Sequence, residues 1–151
     1  MATTTISHAV TIQAPVTAVF DFWKVPANHA KIHPLIVNIE EIKSGKDEDG
    51  QLYTVFEVTD RIKLLGIPYT INYTTLMVQS GPTQLTFTTS QAPGIRIKNV
   101  MTFSSQADGT LVEEKYYLEA PGWLMGYVKR QAEQSHGRMM ENAKALLSND
   151  V

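Results

Sequence analysis

Cysteine is absent from this 151-residue chain. That excludes a disulfide scaffold, a thiol nucleophile and thiolate metal ligation. Positive charge is not in excess either, since 13 Lys and Arg stand against 15 Asp and Glu. A nucleic-acid binder carries a basic footprint, so that class is set aside. No apolar run reaches the about 18 residues of a membrane span. The opening Met1-Ala2-Thr3-Thr4-Thr5 has neither a basic start nor an apolar signal core. The expectation is a cytoplasmic protein with no stable membrane insertion. Gly-x-Gly-x-x-Gly, Walker-type, His-Glu-x-x-His and nucleophile-elbow motifs are all missing, so neither a cofactor nor a metal is expected.

What the chain has is β-branched residues. Thr (16), Val (12) and Ile (11) make up about a quarter of it, and such side chains are stiff at χ1 and favour strands. Hydrophobic residues are 43% of the total, enough for a core. The length fits one domain over residues 1–151, with no linker or repeat.

Periodicity places the elements. Residues 5–13 alternate, with Ile6, His8, Val10 and Ile12 on one face, which predicts a half-buried strand. Pro15 then suits a first helical turn, and Val16, Val19, Phe20 and Trp23 follow at helical spacing, predicting a helix over 15–24. Pro26 breaks it. Asn28 is placed as the cap of a second short turn reaching Ile32, ended by Pro34. Period-two patterns then predict strands near 35–44, 51–62, 69–79, 84–91, 96–105 and 110–119, separated by Gly, Pro and Asp turn signals. After Pro121-Gly122 the period becomes 3.6. Leu124, Val128, Ala132, Ser135, His136, Met139, Ala143, Leu146 and Leu147 fall in one sector of a long helix over 123–147. One long helix must cover one face of a seven-stranded antiparallel sheet, which gives an α+β class.

This order resembles the helix-grip fold of the START/Bet v 1-like superfamily. In detail it is similar to the polyketide cyclase/dehydrase and lipid transport family. The stretches that carry the resemblance are Ile12-Gln13-Ala14-Pro15 leading to Val19-Phe20, then His33-Pro34, then Leu65-Gly66-Ile67-Pro68-Tyr69. Asp108-Gly109-Thr110 and Pro121-Gly122-Trp123-Leu124-Met125-Gly126 complete the set. The resemblance implies a curved sheet gripping the last helix, with a cavity between them for a hydrophobic ligand such as a lipid, an isoprenoid or a polyketide-like compound. It carries no universal catalytic motif.

Loops of an antiparallel meander alternate between the two ends of the sheet. Those after strands two, four and six are polar. Those after strands three, five and seven carry Leu64, Leu65, Ile67, Ile95, Trp123 and Leu124. Exposed apolar residues gathered at one end are unexpected in a monomer. This rim is either the mouth of an apolar pocket or a plug over the core.

Alternation also selects inward residues. Tyr73, Phe87, Asn99, Met101, Phe103 and Tyr116 from the strands, Trp123 from the rim, and Ser135 and Met139 from the helix are the candidate ligand-binding residues. His8 and Glu114 are the candidate acid–base pair. Each has an ordinary alternative. His8 also reads as a satisfied core or edge histidine. Glu114 also reads as the partner of Arg96 or Lys98, or as an outward carboxylate. The tyrosines and methionines also read as packing. His29 and His33 stand four residues apart, but Pro34 follows directly, and the expected setting is a surface turn. Three functions fit. One is a carrier or binding protein for a hydrophobic small molecule. Another is a polyketide cyclase, aromatase or dehydratase that moves protons with pocket His, Glu and Tyr. The third is a module whose ligand controls a partner surface. The sequence sets neither the ligand nor the oligomeric state.

Overall fold

The computed structural model describes residues 1–148, with Leu64 described by its main chain alone. Ten elements follow in order: β1 (Ala2–Ile12), α1 (Val16–Lys24), α2 (Pro26–His29), β2 (Ile36–Lys46), β3 (Leu52–Leu64), β4 (Ile67–Gly81), β5 (Gln84–Gln91), β6 (Ile95–Gln106), β7 (Gly109–Ala120) and α3 (Gly122–Leu147). The strands form one antiparallel sheet in the order β1-β7-β6-β5-β4-β3-β2. Strands β2 to β7 run as a meander, and β1 joins beside the last of them. The result is a helix-grip α+β fold with α3 across the concave face.

Several boundaries differ from the pattern reading, each for a local reason. β1 begins at Ala2, because Thr3, Thr4 and Thr5 pair with Glu119, Leu118 and Tyr117 of β7. β3 and β4 extend until Leu64 pairs with Ile67. The turn between them is then only Leu65-Gly66, with φ of 53° and 79°. Two positive φ values match the twist of the flanking strands, but a leucine adopts that conformation under strain. α2 begins at Pro26, where a missing N–H costs nothing. Asn28 is therefore not a cap; its amide donates instead to the Phe22 carbonyl at 2.9 Å.

The β6–β7 turn is fixed by a close approach. Gly109 has a φ of 140°, and a side chain there would collide with the Ile12 carbonyl oxygen. The neighbouring Thr110 hydroxyl donates to the Ala14 carbonyl at 2.8 Å. The start of β7 is thus locked onto the β1–α1 junction.

The largest apolar cluster lies under α1 and the C-terminal half of α3. Phe20 and Trp23 meet Phe103 there at ring-centroid distances of 5.2 and 5.7 Å, with Leu85, Met139, Met140 and Ala143 around them. A second cluster joins Ile6, Tyr116, Leu118 and Ala132 under the N-terminal half of α3. The helix lies mainly against β1 and β7, to one side of the sheet. The inward faces of β3 to β6 therefore curve around space that α3 does not fill. Met140 is buried although it stood outside the apolar sector, and Leu146 is exposed although it stood inside.

Candidate functional site

That space is a cavity of about 210 Å³. Its apolar walls include Phe56, Val58, Ile71, Phe87, Ile97 and Met101 from the sheet, Trp23 from α1 and Met139 from α3. The polar groups along it are His29, His33, Asp60, Tyr73, Asn99, Tyr116, Tyr127 and His136. A mostly apolar wall with a few polar groups is the usual make-up of a small-molecule site.

Strand register assembles the polar cluster. β1 and β7 pair so that His8 stands opposite Glu114. β6 and β7 pair so that Met101 stands opposite Glu114 and Asn99 opposite Tyr116. Glu114 is buried behind the cavity wall and accepts three hydrogen bonds. They come from His8 Nδ1 at 3.2 Å, His136 Nδ1 at 2.8 Å and Asn99 Nδ2 at 2.9 Å. Burial raises the pKa of this carboxyl, but the His136 charge and the donors from His136, His8 and Asn99 outweigh it. The group is held well below the usual carboxylate range and stays ionised. His8 is shifted up in return, chiefly by its bond to Glu114, against an opposing effect of burial.

Hydrogen bonding also fixes which ring nitrogens face outward. A carboxylate only accepts, so His136 donates through Nδ1 and keeps Nε2 as its second group. The His136 ring stands edge-on to His33 at 5.3 Å and to Tyr116 at 4.7 Å. His33 Nδ1 accepts from the Leu35 N–H at 3.2 Å, so its proton sits on Nε2. His29 carries its proton on the same nitrogen, donating through Nε2 to the Trp23 carbonyl at 2.8 Å. Burial lowers the pKa of His29 to about 4 and that of His33 to about 3, where the His136 charge adds to the effect. Both are neutral at pH 7.

Asp60 sits on β3, and its Oδ2 accepts from the Tyr73 hydroxyl at 3.1 Å. Burial lifts its pKa to about 6 even though Tyr73 and His136 pull it down. Tyr73 itself is pushed well above its ordinary value, first by burial and then by the Asp60 charge. Tyr116 moves the same way through burial and the Glu114 charge. Among the described residues, no group of three or more His, Asp or Glu is placed to hold a metal ion, and no helix is long and apolar enough to cross a membrane.

Comparison with known proteins follows this geometry. The family model described as polyketide cyclase/dehydrase and lipid transport matches residues 3–148. The chain belongs to the polyketide cyclase/dehydrase and lipid transport family. Solved structures agree on its fold. The Zhui aromatase/cyclase from Streptomyces sp. R1128 superposes with a TM-score of 0.78 at 13% identity, over 97% of this chain and 94% of that one. Ara h 8.0201 gives a TM-score of 0.66 at 14% identity, over 97% and 98%. The di-domain aromatase/cyclase BexL of the BE-7585A biosynthetic pathway gives 0.77 at 14% identity, over 99% of this chain but only 51% of that one. The chain thus spans about half the length of the di-domain protein. No curated protein sequence matches.

In this member of the polyketide cyclase/dehydrase and lipid transport family, Tyr73, Phe87, Asn99, Met101, Tyr116, Ser135 and Met139 line the cavity. Four other candidates do not. Phe103 is turned into the Phe20–Trp23 cluster. Trp123 is 79% exposed at the start of α3. His8 and Glu114 are brought together, but behind the wall, with Asn99 and His136 between Glu114 and the cavity. Glu114 therefore pairs with histidines and not with Arg96 or Lys98. His29 and His33 are not a surface turn; both rings point inward and line the cavity. At the rim, Leu65 is 96% exposed and Ile67 is exposed, whereas Ile95 is buried in the wall. The Leu64 side chain lies outside the described residues.

Asp60 and Tyr127 are cavity residues that the sequence reading omitted. Asp60 carries a readable signal, for Phe56, Val58, Asp60 and Ile62 alternate on the inward face of β3. Tyr127 had no such signal, because it lies beside the apolar sector and not within it.

Proposed function

We propose that this protein binds an apolar small molecule in the cavity between the sheet and α3, as a carrier or binding protein. The observation that carries this reading is the cavity itself, lined by aromatic and aliphatic side chains where a packed core would stand. Its volume exceeds the roughly 150 Å³ that admits a benzene ring. A compound of a few rings, or a short isoprenoid, suits it better than a two-chain lipid. Ile62 and Ile71 lead from the cavity toward the exposed Leu65 and Ile67, and Tyr127 and Val128 lead toward Trp123. This rim is the entrance on our reading.

One arrangement favours a second reading, the cyclase, aromatase or dehydratase reaction. His136 is pinned at Nδ1 by Glu114, which leaves Nε2 at the cavity wall as the atom that would exchange a proton with a substrate. A carboxylate that orients an imidazole and steadies its charged form is a recurrent device for proton transfer. On this reading His136 takes the role that the sequence gave to His8, and Glu114 positions it.

Fluorescence titration with N-phenyl-1-naphthylamine tests the binding reading. The dye brightens on entering the wild-type cavity. Ala132→Phe, which fills it from α3, weakens binding at least tenfold while the far-ultraviolet circular dichroism stays native. Equal affinity for both proteins places the dye elsewhere and removes the reading. His136→Gln separates the two functions, since a carrier keeps its ligand affinity and an enzyme loses turnover of a bound polyketide.

A further inference from the structure

The three most exposed of the large apolar side chains among the described residues are Leu65 at 96%, Trp123 at 79% and Met1 at 74%. They come from distant parts of the chain, yet the fold brings them to one end. In the meander the β3–β4, β5–β6 and β7–α3 connections share that end. Leu65 is the tip of the β3–β4 turn, with the exposed Ile67 beside it. Trp123 opens α3 just past the end of β7. Met1 precedes Ala2, which pairs with Ala120 at the last position of β7, and its methyl group lies beside Gly94 in the β5–β6 turn. Apolar residues scattered singly over a surface are ordinary, whereas the most exposed ones gathered at one end mark a contact surface.

Charge is sorted along the same axis. Arg61 and Lys63 precede the β3–β4 turn, Arg96 follows the β5–β6 turn, and Lys129 and Arg130 lie about two turns along α3 from Trp123. All of these cations are exposed. Among the described residues the ion pairs involve His8, Lys24 and His136, so none of them is neutralised by a neighbour. The acids in the same stretches, residues 60–70, 91–96 and 119–130, are Asp60, which is buried, and Glu119, which is half-buried. The opposite end carries Asp47, Glu48, Asp49 and Asp108 against Lys46 at the β2–β3 and β6–β7 turns. A chain of net charge −2 therefore has one cationic, apolar end and one acidic end.

We propose that the cationic end docks reversibly on an anionic lipid bilayer, with Leu65, Ile67 and Trp123 at the acyl boundary and the flanking lysines and arginines on the headgroup phosphates. Apolar side chains with a tryptophan, flanked by long cationic ones, suit the water–lipid interface. A second copy of the chain fits less well, because two such ends meeting face to face would oppose like charges. A folded protein partner needs a contiguous patch of about 800 Å². Here Leu65 and Trp123 stand on separate segments, with β5 and β6 between the strands that lead to them, and a fluid surface can close around each one. Docking is independent of the cavity reading, since it is measured with no ligand added.

Sedimentation with vesicles tests it, using phosphatidylcholine alone and phosphatidylcholine with about 30% phosphatidylglycerol. The protein binds the anionic vesicles at least about tenfold more tightly at low salt, and the preference fades as salt is raised. Trp23 is already buried, so a blue shift of the emission, quenched by brominated lipid, reports Trp123 entering the bilayer. Leu65→Asn and Trp123→Ser each weaken binding about fivefold. Arg61→Gln combined with Lys63→Gln removes most of the preference for anionic vesicles, and all variants keep a native circular dichroism spectrum. No binding to anionic vesicles overturns the proposal, as does equal binding to both compositions. Binding untouched when Leu65→Asn and Trp123→Ser are combined overturns it too. Self-association that grows with concentration and is lost in that double variant assigns the end to a second copy and overturns it as well. The cavity reading survives each of these results, because the dye titration decides it separately.

Discussion

His136 on α3 donates through Nδ1 to Glu114 on β7 at 2.8 Å, joining the middle of the long helix to the sheet through a buried carboxylate. Removing one partner of a buried charged pair leaves the other uncompensated, which is worth about 3–5 kcal/mol. Glu114→Gln retains the size but loses the charge that holds His8 and His136. The variant should lose about 3 kcal/mol of stability, read as a lower urea midpoint. The His136 ring nitrogens should also lose their single tautomer in nitrogen-15 spectra. An unchanged urea midpoint would show that the carboxylate is not the anchor described.

Stability should fall on acidification in a defined window. His29 and His33 are held neutral with pKa values of about 4 and about 3, below the ordinary 6.5 of the unfolded chain. Between those limits the unfolded state binds more protons, so stability rises with pH there. Each histidine contributes up to about 1.4 kcal/mol per pH unit. Glu114, held well below its ordinary value, adds a loss that starts once pH drops through the unfolded carboxylate range near pH 4 to 5. Asp60 acts in the opposite sense. Its pKa of about 6 makes the folded state take up a proton between about 6 and 4, which offsets part of one histidine. Urea midpoints between pH 7.5 and 4.5 should therefore decline below about 6.5, and His29→Phe should flatten the slope. A level profile over this range would contradict the buried neutral histidines.

The strained hairpin offers a gain in stability. Leu65 holds a φ of 53° with its side chain in solvent. Asparagine adopts that conformation more readily. Leu65→Asn should raise stability by about 0.5–1 kcal/mol, seen as a higher melting temperature. If this rim is the entrance to the cavity, the same substitution should also slow dye uptake. A lower melting temperature would mean that Leu65 makes a packing contact worth more than the strain.

The fold was legible in the sequence because each element carries a clean period. Ile6 to Ile12 alternate, the six later strands are cut by glycine and proline, and Leu124 to Leu147 run at helical spacing. The candidate site was legible only in part. Alternation places Tyr73, Asn99 and Tyr116 on inward faces, but it does not separate residues at the cavity wall from those one layer behind. Glu114 and Phe103 share their faces with wall residues and lie outside the wall, because α1 and α3 cover them. His29 and His33 went unrecognised for another reason. The two prolines around them read as surface punctuation, whereas the short α2 and the turn that follows it bring both rings to the cavity.

The contact between His8 and Glu114 spans 106 positions of the chain, and β1 has β7 as its neighbour in the sheet. During synthesis β1 must wait, unpaired, until six further strands have been made. Contacts this distant in sequence form slowly. An unpaired edge strand is exposed to wrong partners in the meantime. The wall of the cavity closes only when α3 follows β7 and brings His136 onto Glu114. A nascent chain therefore lacks the completed cavity. On the proposed reading a ligand would enter only the finished fold, and one that touches both the sheet and α3 would add its binding energy to the last and least local contacts to form.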